Sequence, residues 1–249
     1  MVRANSLSAH SVSAPRNFEM VETDAKRTPG RGRFITFEGG EGSGKSTQIK
    51  TLADRLNAAK LRAIVTREPG GSPGAEIIRH LVLSGMGKLL GSEAETLLFA
   101  AARDDHVRTV IQPALNQGIW VLCDRFSDST RAYQGSVGKV SPAVLNAMER
   151  VTIGDLKPDL TIILDVPVEV GIKRAAARRG AGSPDRFEAE GTRFHQELRE
   201  AYRQIAAAEP QRCVLIDATA EPNVVAAKIW TALRDRFSVG NTGNVASSA

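Results

Sequence analysis

The chain has 249 residues, 42% of them hydrophobic, and a formal net charge of +5, which suits one α/β domain with a sizeable core. Residues 1–33 hold six Lys or Arg against three Asp or Glu, a net +3 that leaves only +2 for the rest, so the charge gives no case for a nucleic-acid partner. No run approaches ~18 consecutive apolar residues, which excludes a transmembrane helix, and Cys123 and Cys213 lack the spacing of a metal site or a disulfide framework, as expected of a chain kept in a reducing compartment.

Residues 1–32 are rich in Ser, Ala, Pro, Gly and charge and carry no apolar period, the composition of a disordered extension. No apolar stretch suits a secretory signal, Glu19, Glu22 and Asp24 count against an organellar transit peptide, and Met20 offers a later start. The domain is expected over 33–237, with a frayed tail at 238–249. Between the tails, short apolar runs alternate with helical patterns. Phe34–Glu38, Ala63–Thr66, Ile119–Asp124, Leu160–Asp165 and Val214–Asp217 read as strands covered on both faces, and 45–58, 74–83, 92–116, 142–153, 167–178, 188–208 and 221–236 as helices. That order predicts a doubly wound parallel five-stranded sheet with helices on both faces and ligands at the carboxyl ends of the strands.

The first strand runs into Gly39-Gly40-Glu41-Gly42-Ser43-Gly44-Lys45-Ser46-Thr47, which matches the G-x-x-x-x-G-K-[ST] pattern and opens a helix. Glycines let successive N–H groups turn inward around phosphate oxygens, and the helix N-terminus adds its positive end. Lys45 is placed to reach the β- and γ-phosphates of ATP, and Ser46 to ligate Mg²⁺. Such a loop names nucleotide phosphates and leaves the acceptor open.

The second strand ends in Arg67-Glu68-Pro69-Gly70-Gly71, where Arg67 suits a phosphate monoester and the Glu68–Pro69 bond is a candidate for the cis form. Phe99 and Arg103 lie one turn apart on the long third helix, a spacing that suits a base-stacking ring with a donor beside it and equally suits a core Phe. After the third strand, Asp124 is placed to hold Mg²⁺ through water and Arg125 to bridge two phosphates. Arg174, Arg178, Arg179 and Arg186 surround a Gly/Pro-rich stretch, Gly180–Pro184, that reads as a mobile lid over about 178–188 or as a solvated basic helix end.

Taken together, these blocks resemble the bacterial thymidylate kinases, a family of P-loop nucleoside monophosphate kinases. The resemblance rests on Phe37–Thr47, Thr66–Gly71, Leu98–Arg103, Asp124–Phe126 with Ser129–Gly135, Pro158–Thr161 with Leu164–Val166, and Asp185–Glu188. It implies phosphorylation of dTMP by ATP and Mg²⁺ in the cytoplasm, by a homodimer whose third helix joins the interface. It further implies that Phe99 stacks on thymine and Arg103 bonds its O4, that Arg67 and Arg125 grip the dTMP phosphate with Glu68 and Pro69 beside them, and that Tyr133 excludes a 2′-hydroxyl. Ser129, Thr130 and Gln134 would line the same pocket, Arg174 would lie over adenine, and Arg186 would join Lys45 and Arg125 in catalysis. Family members with an acid at the position of Glu41 supply the catalytic arginine from the lid. Phe126 stands at a position where Tyr or His is also common in the family. The rival readings are another nucleotide kinase of this fold and a P-loop switch, although no Asn-Lys-x-Asp guanine-reading motif occurs.

Overall fold

Five strands pair in parallel in the order β2-β3-β1-β4-β5 in the computed structural model, which describes residues 30–180, 182–183, 186–237 and 239. The strands are β1 (Phe34–Glu38), β2 (Ala63–Arg67), β3 (Trp120–Asp124), β4 (Leu160–Asp165) and β5 (Cys213–Asp217). The connecting helices are α1 (Lys45–Ala58), α2 (Pro73–Leu83), α3 (Ser92–His106), α4 (Gln112–Asn116), α5 (Ser127–Thr130), α6 (Pro142–Thr152), α7 (Val168–Arg179), α8 (Thr192–Ala208) and α9 (Pro222–Phe237).

Alternation along the central strand explains the two layers. Ile35 and Phe37 of β1 face α1 and α9, in a cluster with Leu52, Leu56, Ile229 and Leu233. Phe34 points the other way, onto Ile111, Leu115 and Phe126, and meets the Phe126 ring edge-on at 4.8 Å between centroids. On α1 the buried positions Gln48, Ile49, Leu52, Ala53 and Leu56 repeat at helical spacing. Truncating Leu56, which is fully buried, to Ala would cost about 2–5 kcal/mol. That is a large share of a typical domain's net stability of about 5–15 kcal/mol.

Register brings the chemical groups to one edge of the sheet. Arg67 pairs with Asp124 across β2 and β3, and Phe37 with Asp124 across β1 and β3. The 92–116 helix forms without a break as α3, a π-helical segment Val107–Ile111 and α4.

Three features differ from expectation. A helix made of α5 and the π-helical segment Arg131–Val137 covers a stretch with no apolar period. Ala132 and Tyr133 pack in one apolar cluster with Leu198, Ala201 and Tyr202 of α8, and ion pairs add to this hold: Asp128, 1% exposed, accepts from Arg212 at 2.7 and 2.8 Å and from Arg131 at 2.9 Å. A short 3₁₀ turn, Met86–Leu90, precedes α3. Finally, α8 starts at Thr192 and not at 188, because Glu188 is drawn back by Arg178 and Arg179 at 2.7 and 2.8 Å.

The disordered extension expected over 1–32 and the frayed tail expected over 238–249 lie outside the described residues except at 30–32 and Val239. There the chain is already tied down: Gly32 N–H donates to Leu115 O at 2.8 Å, Arg31 pairs with Asp159, and Val239 packs against the core. Within the expected lid, Ala181, Pro184 and Asp185 also lie outside the described residues.

Candidate active site

The phosphate loop needs glycine where other backbone presses on it. Gly39 and Gly42 have φ of 130° and 66°, and a Cβ would come within 2.4 Å of Leu164 O and 2.0 Å of Gly171 O, respectively. The end of β4 and the start of α7 therefore fix the loop's curvature from behind. Lys45 curls over the loop, its Nζ donating to the carbonyls of Gly39 and Gly40 at 3.0 and 2.9 Å. Burial and the nearby Arg125 guanidinium together lower its pKa to about 8, against the pull of Glu41, Asp124 and Glu38.

Arg125 is the centre of the polar site. It sits at φ 70°, a left-handed conformation rare for a bulky residue, with its own N–H donating to Phe37 O at 2.9 Å. Its guanidinium donates to Glu41 Oε1 at 2.5 Å, Gly39 O at 3.1 Å, Tyr202 Oη at 3.2 Å and Ser129 Oγ at 3.4 Å. Burial would push the Glu41 carboxyl up, but Arg125 and Lys45 outweigh it and hold Glu41 at about 2. Tyr133 also donates to Glu41 Oε1, at 3.2 Å, and burial moves its phenol well above the ordinary range.

Behind Arg125, Glu38 is fully buried at the end of β1. It accepts from Phe126 N–H at 2.8 Å, Ser129 Oγ at 2.6 Å and Tyr202 Oη at 3.1 Å. Burial, helped by the charge on Asp128, pushes it up to about 7. Tyr202 escaped the sequence reading because it lies on α8, 164 residues beyond Glu38 in the chain, with no local motif around it.

Beside the loop, Ser46 Oγ donates to Asp124 Oδ2 at 3.0 Å, so a hydroxyl and a carboxylate converge at one point. Across the site, Arg67 is half exposed and pairs with Glu76 at 2.8 Å, which also accepts from Gly71 N–H at 2.9 Å. The Glu68–Pro69 bond is cis. Glu68 turns inward to accept from Arg103 Nε at 2.8 Å, and Arg103 Nη2 donates to Thr130 Oγ1 at 3.0 Å.

A cavity of about 740 Å³ joins these groups. Glu41 through Thr47, with Asp124 and Arg125, line its centre. One end holds Arg67, Glu68, Pro69, Phe99, Arg103, Ser129, Thr130, Tyr133 and Gln134, all of them expected from sequence. The other end is bounded by Arg174 together with Ala218, Pro222 and Val225 at the β5–α9 turn. Arg174 is anchored there by donating to Ala218 O at 2.8 Å and Thr219 O at 3.0 Å. Arg79, Arg178 and Phe187 are further lining residues. The β5–α9 turn was findable, since it too follows the carboxyl end of a strand.

Three expected residues stand elsewhere. Gly39 and Gly40 border a separate small recess behind the loop, where they shape the backbone and do not line the cavity. Arg186 does not line it either. Its Nη1 and Nη2 fork onto the Glu95 carboxylate of α3 at 2.5 and 3.0 Å, since a largely buried carboxylate on α3 is the anionic partner within its reach.

A central parallel strand feeding a glycine loop and a helix, with Lys45, Ser46 and Asp124 converging, defines a P-loop nucleotide-binding α/β protein. The family model described as thymidylate kinase matches residues 37–229. A thymidylate kinase of Bradyrhizobium diazoefficiens is 77% identical over 218 residues, covering 88% of this chain and 96% of that one. One of Nitrobacter hamburgensis is 78% identical over 219 residues, covering 88% and 95%. The crystal structure of thymidylate kinase from Ehrlichia chaffeensis superposes with a TM-score of 0.67 at 33% identity, covering 82% of this chain and 99% of that one. The chain belongs to the thymidylate kinase family, and it is a phosphotransferase.

Proposed function

We infer that the chain transfers the γ-phosphoryl group of ATP to the phosphate of dTMP, giving ADP and dTDP. The observation that carries this reading is the single cavity in which the phosphate loop lies between two differently built ends. The end under Arg174, with apolar Ala218, Pro222 and Val225, suits a flat purine. The other end offers the Phe99 ring and the Arg103 guanidinium; a ring stacks on a pyrimidine, and a guanidinium donates to a carbonyl such as thymine O4. Tyr133 lines the same end, and we read it as the group that leaves no room for a ribose 2′-hydroxyl and so favours a deoxyribose.

The acceptor oxygen of a phosphate monoester is already ionised, so no general base is required. Positioning and charge stabilisation do the work. Lys45 and Arg125 stabilise the transferring group, and Arg67 and Arg125 hold the acceptor phosphate. Ser46 and Asp124, which meet at 3.0 Å, present the hard oxygen donors that Mg²⁺ prefers, Ser46 directly and Asp124 through water. Bound there, Mg²⁺ would neutralise charge on the β- and γ-phosphates. Arg186 would join the transfer after leaving Glu95, with Arg178 already at the cavity wall.

Exposed Ile77 on α2, Met86, Leu89 and Leu90 on the 3₁₀ turn, and Leu97 on α3 support a homodimer formed through this face. No helix among the described residues is long and apolar enough to cross a membrane, and the two buried free cysteines fit the cytoplasm. The test of the reading is Lys45→Ala. We expect turnover to fall by roughly 100-fold or more with dTMP binding and circular dichroism preserved; normal turnover in this variant would refute it.

A further inference from the structure

His106 lies on α3, fully buried and outside the cavity lining. Its two ring nitrogens nevertheless connect the β2 strand to the monophosphate end of the cavity. Nε2 lies 2.6 Å from Thr66 Oγ1 and Nδ1 lies 3.1 Å from Glu68 Oε1. The other carboxylate oxygen of Glu68 takes Arg103 Nε at 2.8 Å. A carboxylate only accepts, so Nδ1 donates to Glu68 and, in the neutral imidazole, Nε2 accepts from the Thr66 hydroxyl.

The remaining arginine nitrogen, Nη1, has no hydrogen-bond partner among the described residues, while the side chain lines the cavity. The chain around His106 is shaped to admit it: a Cβ on Gly71 would come within 2.5 Å of both His106 Nε2 and Thr66 Oγ1. Gly71 has φ 86°, so glycine there serves both the turn and the imidazole's seat.

We propose that His106 is a positioning residue for recognition of the acceptor base: it orients Glu68, and Glu68 aims Arg103 at the carbonyl by which thymine differs from cytosine. The proposal rests on the reading of Arg103 as the base-recognising donor. A ring held at both nitrogens fixes the rotation of the Glu68 carboxylate, and a fixed carboxylate removes the freedom of the guanidinium about its own axis.

Asn and Gln separate the two nitrogens of His106. An Asn amide nitrogen falls near the Nδ1 position and keeps a donor for Glu68. A Gln amide falls near Nε2, keeping the Thr66 contact and losing the donor. Steady-state kinetics with dTMP and dCMP are measured for the wild type, His106→Asn, His106→Gln and Arg103→Ala, alongside KM for ATP and thermal midpoints. We expect His106→Gln to raise KM for dTMP roughly tenfold and to lower the preference for dTMP over dCMP in proportion. KM for ATP should stay within about twofold, and His106→Asn should remain within about threefold of wild type for dTMP. Equal behaviour of the Asn and Gln variants, or parallel loss of both KM values with the thermal midpoint, would overturn the proposal. If Arg103→Ala leaves KM for dTMP unchanged, the base-recognition reading itself fails; if it raises KM while His106→Gln does not, only the role of His106 fails. Should neither His106 variant fold, Thr66→Val is read in the same way: a selective rise of about threefold in KM for dTMP supports the proposal, and no change overturns it.

Discussion

In the proposed reading of the site, Lys45 meets the triphosphate with an amine whose proton the folded protein holds weakly. The side chain is 7% exposed and its Nζ rests on the carbonyls of Gly39 and Gly40. Burial and Arg125 lower its pKa from 10.5 to about 8, a bias of roughly 3 kcal/mol toward the neutral amine. For stability the sign is fixed by the unfolded value lying above the folded one. Between about 8 and 10.5 the unfolded chain binds more protons, so this group makes the fold more stable as pH rises through that window. For function the consequence is opposite, since phosphate oxygens need the charged amine. Titration calorimetry with MgATP in buffers of different ionisation enthalpy should show uptake of about three-quarters of a proton at pH ~8.5 and about one-tenth at pH ~7. ATP contributes little there, because a terminal phosphate with a pKa of about 6 is already ionised. The kcat/KM for ATP should fall roughly tenfold from pH ~7 to pH ~9, and Lys45→Met should abolish the proton uptake. A flat kcat/KM across that range, or no uptake at the higher pH, would show that Lys45 is not the group that meets the phosphates.

Glu41→Gln removes the charge that faces Arg125 at 2.5 Å and should destabilise the fold by about 2–3 kcal/mol at neutral pH. The Glu41 carboxyl is lowered from 4.5 to about 2, so its stabilisation is present above 4.5 and lost as pH falls toward 2; urea melts of variant and wild type should converge across that window, and a constant gap would contradict the assignment. Phe99→Ala should raise KM for dTMP by roughly ten- to a hundredfold, the value of one base–aromatic stack of about 1–3 kcal/mol, with KM for ATP unchanged. Gly42→Ala places a Cβ within 2.0 Å of Gly171 O and should lower kcat/KM for ATP at least tenfold while leaving dTMP binding, measured by calorimetry, near that of wild type.

The sheet was legible because its strands are continuous apolar runs. β1 and β4 fall where the runs begin and end, and the other three differ from the expected bounds by a single residue. The order of the strands was not legible, since sequence records which runs exist and not which neighbour each finds. The segment from Ser127 to Val137 escaped because its apolar contacts are few, Ala132, Tyr133 and Val137 in one cluster, while ion pairs of Asp128 with Arg131 and Arg212 hold the rest. Its polar side chains instead face the cavity, where Ser129, Thr130, Tyr133 and Gln134 collect. Motif residues near the strand ends were recoverable one by one. Their supports were not: Tyr202 and His106 are single buried polar residues on helices, indistinguishable by pattern from ordinary core positions. Arg186 shows the opposite limit, for a basic residue in a Gly/Pro-rich stretch does not announce that Glu95 will hold it.

The end of the cavity built from Phe99, Arg103 and Tyr133 is expected to select dTMP as the phosphoryl acceptor. The deciding measurement is release of ADP from MgATP in a coupled assay with dTMP, dUMP, dCMP and dGMP in turn. The highest kcat/KM is expected with dTMP, and a loss of at least tenfold with dCMP, which offers Arg103 an amino group in place of a carbonyl. Equal or better turnover of dCMP or dGMP would contradict it.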